Sequence, residues 1–79
     1  MTNINKTLGQ VIAKYRKIAN ISQEELADRT GIHRTYVSQI ERGLKSPTLS
    51  ILFEISKSLN TTASSLIAEV EQNIDDLYH

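Results

Sequence analysis

The 79-residue chain is long enough for one domain and carries 39% hydrophobic residues and no cysteine, so it buries only about 60% of its unfolded surface and its core is limited, and it has neither a disulfide nor a thiolate metal site, which suits a reducing cytoplasm. No apolar run approaches the roughly 20 residues that span a bilayer, and the opening MTNINKTLG has no apolar stretch of signal-peptide type, so no membrane partner is expected. The zero net charge conceals a split: residues 1–57 hold all nine Lys and Arg against five acids, a net +4, whereas residues 58–79 hold four acids and no Lys or Arg, a polarity that would orient the chain toward phosphates.

Taken in order, residues 1–6 read as a loose arm. Thr7 is the expected cap of a first helix with Leu8, Val11, Ile12, Tyr15 and Ala19 inward at three-and-four spacing. Asn20 suits the left-handed exit, Ile21 packs back, and Lys14, Lys17 and Ile18 lie outside. Ser22, with Glu25 three residues on, forms a capping box for a second helix that turns Leu26 and Ala27 inward. Gly31 ends it and Ile32 tucks between helices. The third run, Arg34 to Arg42, anchors on Val37 and Ile40 with Glu41 beside them, and leaves Thr35, Tyr36, Ser38 and Gln39 elsewhere around the wheel.

Gly43 to Pro47 is a turn, and Thr48 caps a fourth helix, Leu49 to Leu59. Its expected core face is Leu49, Leu52, Phe53, Ile55, Ser56 and Leu59, with Phe53 the largest member. Asn60 ends it, and Thr61 or Thr62 caps a fifth helix over 62–78. There Ala63, Ile67, Val70, Ile74 and Leu77 follow steps of 4, 3, 4 and 3, with Leu66 beside them. That is a seam of the a/d kind. A stripe that long exceeds what a small core covers, so its surplus is expected to meet a second copy about a two-fold axis. The competing reading is that residues past Ala68 fray.

The stretch SQEELADRTGIHRTYVSQIER has the form of a helix-turn-helix: Ala27 is small where two helices cross, Gly31 sits at the turn, and Val37 and Ile40 anchor the second helix at three-residue spacing. Such a second helix enters the major groove with its first residues at base edges. Arg34 stands there, its fork matched to guanine O6 and N7, with a phosphate contact as the alternative. Thr35 and Gln39 are base contacts, Gln39 preferring adenine or donating to phosphate. Ser38 faces the backbone. Tyr36 packs on sugar-phosphate, senses groove shape, or lies over its own helix. Arg42, Lys45 and Ser46 are phosphate contacts. Nothing suggests an enzyme. Two histidines without thiols make no metal site, three scattered glycines make no phosphate loop, and the serines lack a histidine base. No cofactor and no small-molecule ligand is expected.

SQEELA, then Gly31, RTYVSQIERG and Pro47 resemble the lambda-repressor/Cro type (XRE) of bacterial and phage helix-turn-helix regulators, over about Leu8 to Leu66. HRTYVSQIERG on so short a chain resembles the controller proteins of restriction–modification systems. The resemblance implies an all-α, five-helix lambda-repressor-like domain whose helices 2 and 3 form the helix-turn-helix, a homodimer, and transcription regulation from palindromic operator DNA. It also implies that Arg16 pairs with Glu41, where the alternative is two unrelated surface charges, and that Gln23 holds a phosphate at a helix N-terminus. His33 departs from the usual Ser, Thr or Asp cap; this weakens the cap or brings an imidazole to the DNA backbone. Thr30, where an apolar residue is usual, is a second departure. A phage or chromosomal repressor and a DNA-binding antitoxin remain the alternatives to a controller.

Overall fold

Short polar side chains start four of the helices in the computed structural model, which describes residues 3–74. Asn3, Ser22, Thr48 and Thr62 each accept from the backbone N–H three residues on, and so open α1 (Ile4–Ile18), α2 (Gln23–Thr30), α4 (Leu49–Ser58) and α5 (Ala63–Asn73). His33 precedes α3 (Arg34–Glu41) with no such bond. Four helix exits run through left-handed residues: Asn20 (φ 59°), Gly31 (φ 75°), Gly43 (φ 79°) and Asn60 (φ 58°). After α3, Gly43 N–H reaches Ile40 O and Leu44 N–H reaches Gln39 O, at 3.0 and 2.9 Å. This pair of bonds closes the helix and needs a residue tolerant of positive φ.

Of the arm expected over residues 1–6, residues 4–6 are corrected: α1 starts at Ile4, one turn early, and Met1 and Thr2 lie outside the described residues. Asn3 Oδ1 accepts from Lys6 N at 3.0 Å, while the Thr7 hydroxyl turns back to Asn3 O. Asparagine caps as well as threonine does, and the earlier start adds a turn that packs. Gly43 lies so close to Lys6 that a Cβ there would come within 2.6 Å of Lys6 Cα. One turn further along, a Cβ on Gly9 would strike the carbonyl oxygens of Ile40 and Glu41, the latter at 2.6 Å. Gly9 serves no turn. It lets α1 abut the end of α3.

The core is Ile12 from α1, Leu26 from α2, Val37 and Ile40 from α3, Ile55 from α4 and Leu66 from α5, all essentially without solvent contact. Three expectations about faces are corrected. Leu52, Ile55, Ser56 and Leu59 form the buried stripe of α4, and Leu49 and Phe53 sit together on its flank, 69% and 57% exposed. Phe53 is therefore a surface residue and not the centre of the core. Ala19, at the end of α1, is also exposed. On α5, Ala63, Leu66, Val70 and Ile74 are buried within the subunit, and of the expected seam only Ile67, 39% exposed, remains at the surface among the described residues. The reason is length. α1, at about 22 Å, outreaches α5, at about 16 Å, and packs on it together with α4. α5 stops at Asn73, and Ile74 leaves the helical region (φ −113°, ψ 72°). The rest of the 62–78 helix, with Leu77, lies outside the described residues.

Lys14 and Glu69 pair across the outside of the α1–α5 contact. The Lys14 ammonium, helped by the Tyr15 hydroxyl, holds the Glu69 carboxyl below its usual pKa, and Glu69 holds Lys14 above its own. No helix among the described residues is long and apolar enough to cross a membrane.

Candidate nucleic-acid interface

Two apolar side chains decide which face of α3 is presented. Val37 and Ile40 are 1% exposed, three residues apart, and packed between α1 and α2. With them fixed, Arg34 and Thr35 in the first turn are exposed, and Ser38 and Gln39 are half-buried at the margin. Gln23, Arg34, Thr35 and Ser38 line one open hollow of about 250 Å³, so the first turns of α2 and α3 share a polar rim. Gln39 is outside that hollow.

Tyr36 is half-buried against the core, and its hydroxyl donates to Ser46 O at 3.4 Å. The ring thus links α3 to the turn that follows it. Lys45 and Ser46 stand exposed on that turn. Arg42 is exposed as well, its Nε 3.4 Å from Ser38 O. His33 is exposed, and its side chain leaves the first amides of α3 without a cap. A His33→Ser variant should supply the missing acceptor and stabilise the fold by about 1 kcal/mol. Calorimetry should then show a rise of about 4–8 °C in melting temperature.

Beneath the rim lies an ionic network. Arg16 Nε donates to Glu41 Oε2 at 2.7 Å and Nη2 to Oε1 at 3.1 Å, a bidentate pair whose side chains are 13% and 7% exposed. Arg16 Nη1 also donates to Ile21 O at 2.9 Å. These bonds engage the guanidinium in the plane of its fork, and the hydrogen bonds it donates to Glu41 are the chief cause that raises its pKa. Gln23 Nε2 donates to Glu41 Oε1 at 3.0 Å. One carboxylate thus gathers α1, α2 and α3. Gln23 therefore does two things at once, touching Glu41 and lining the hollow. Among the described residues no group of three or more His, Cys, Asp or Glu could hold a metal ion.

Gly9 is the residue of this region that pattern reading overlooked. An isolated glycine inside a helical run costs about 1 kcal/mol against alanine, and that cost was the available sign of a close approach.

A helix-turn-helix family model matches residues 12–66. The control protein C.SmaI of Serratia marcescens is 42% identical over 65 residues, covering 82% of this chain and 77% of that protein. The control protein C.BamHI of Bacillus amyloliquefaciens is 39% identical over 66 residues, covering 82% of each. Among solved structures, the wild-type restriction-modification controller protein C.Esp1396I superposes with a TM-score of 0.82 at 28% identity, over 94% of this chain and 97% of that one.

Proposed function

The chain belongs to the helix-turn-helix family of DNA-binding transcriptional regulators, and from that premise we propose that it is a restriction–modification controller that binds a palindromic operator as a homodimer. The observation that carries this reading is the polar first turn of α3, held outward by buried Val37 and Ile40 beside the Gln23 hollow. Arg34, Thr35 and Gln39 read bases. Gln23, His33, Tyr36, Ser38, Arg42, Lys45 and Ser46 hold the backbone or follow its shape. The protein works on DNA, without enzymatic chemistry, and its address is the cytoplasm.

The dimer is assigned to a different surface from the buried row of α5. Leu49 and Phe53 on α4 are exposed, Phe53 and Ala63 line the same open hollow, and Ile67 stands one turn beyond Ala63. Operator binding requires that a dimer built on this apolar flank hold its two α3 helices about 34 Å apart, the spacing of successive major grooves.

Selection of bound duplexes from a random pool tests the reading. The expected product is an inverted repeat with half-sites about one turn apart; recovery of no enriched sequence would reject it. Arg34→Ala should weaken binding to the selected repeat by about 1–3 kcal/mol, or about 5- to 150-fold, and relax choice at one base pair. Lys45→Ala should instead weaken all duplexes alike and lower the salt slope by about 1. Titrations at several salt concentrations separate the two effects.

A further inference from the structure

We infer that Glu41 is a positioning residue for DNA binding: its carboxylate fixes the Gln23 amide, and so ties the phosphate grip of α2 to the seating of α3. The inference rests on the assignment of Gln23 as a phosphate contact. Its own ground is the pair of bonds that meet at one oxygen. Glu41 Oε1 accepts from Gln23 Nε2 at 3.0 Å and from Arg16 Nη2 at 3.1 Å.

A carboxamide ordinarily has two orientations of similar energy, amide nitrogen in or carbonyl oxygen in. An ionised carboxylate only accepts, so it admits the nitrogen-in orientation alone. The bidentate Arg16 fork supplies one donor to each of the two Glu41 oxygens, so both are engaged as acceptors. With one N–H of Gln23 committed to Glu41, the second N–H is left for the hollow shared with Arg34, Thr35 and Ser38. A phosphate oxygen is an acceptor and needs that N–H. Were the amide free to turn over, its carbonyl would meet the phosphate for part of the time and repel it.

The coupling has a geometric consequence. Glu41 is the last residue of α3, Gln23 the first of α2. The contact that sets where the backbone is gripped is therefore bonded to the far end of the helix that reads bases. A shift of α3 along its axis would carry Glu41 away from Gln23 and loosen the grip. Well-seated α3 and a well-oriented amide reinforce each other.

Neutralisation of single phosphates tests this. The probe is a duplex carrying the selected inverted repeat, with one phosphate at a time replaced by a methylphosphonate. With the parent protein, the phosphate gripped by Gln23 should be one of several per half-site whose neutralisation weakens binding, here by about tenfold or more, the worth of one hydrogen bond to a charged group. Gln23→Ala should abolish that penalty. Glu41→Gln removes the acceptor-only oxygen at nearly constant shape. It should abolish the penalty at the same position while leaving the penalties from Lys45 and Arg42 unchanged. Should Glu41→Gln fail to fold by circular dichroism, the Arg16→Met/Glu41→Leu pair, which leaves no buried charge, is measured the same way. A Glu41 variant that keeps the full penalty at the Gln23 position overturns the inference, even if its overall affinity falls, because a merely structural role would lower affinity without erasing one phosphate. If Gln23→Ala itself erases no phosphate, the grip assigned to Gln23 is wrong and the inference falls with it. Binding of the repeat by that variant would still uphold the regulator reading.

Discussion

Arg16→Ala is expected to cost about 3–5 kcal/mol of folding stability, the penalty for removing one partner of a buried ion pair. The loss is large against the roughly 5–15 kcal/mol that holds a typical domain together. Both side chains are nearly enclosed, 13% and 7% exposed, so Glu41 would be left enclosed and short of two of its three donors. Gln23 alone would remain. Ile21 O would lose its guanidinium partner as well. The magnitude comes from the stranded charge and not from the attraction of the pair, since desolvation of both ions offsets most of that attraction. Arg16→Met combined with Glu41→Leu should therefore recover most of the loss. Urea unfolding of the three proteins measures this. Equal instability of the single and double variants would mean that the pair itself contributes strongly.

Phe53→Asp is expected to turn the dimer into a monomer and to weaken operator binding by about 10²- to 10⁴-fold, because two linked half-site contacts gain that much over separate ones. Phe53 is 57% exposed and makes no part of the buried stripe of α4, so a charge there should leave the subunit folded. Sedimentation should show monomers with parental helicity. Leu66→Asp is the contrasting substitution. Leu66 is fully buried within its own subunit, so an unpaired charge there should unfold the chain and not merely split the dimer. A dimer that survives Phe53→Asp and Ile67→Asp would reject the proposed face.

The helices and family of this protein are legible in its sequence because their signals are local. A cap such as Ser22 or Thr62 acts on an amide three residues away, and an exit such as Asn20 or Gly31 acts on its own φ. Three-residue spacing of Val37 and Ile40 likewise selects the inward side of α3 without reference to any distant residue. Where two local signals compete, the outcome passes to packing. Asn3 and Thr7 can both cap α1, and Asn3 does so in a fold where the extra turn lies against Gly43.

Tertiary structure alone decided how much apolar surface each helix spends inside its own subunit. The sequence marks Phe53, Leu66 and Ile74 as apolar, but whether each is buried depends on the length and angle of the helix opposite, which are properties of the assembled chain. α1 reaches along α5, so Leu66, Val70 and Ile74 are consumed internally, while Leu49, Phe53 and Ile67 are left outside. The close approach at Gly9 and the meeting of Gln23 with Arg16 at one carboxylate arise in the same way. Those contacts join residues 18 to 32 positions apart in sequence, and no periodicity within one helix records them.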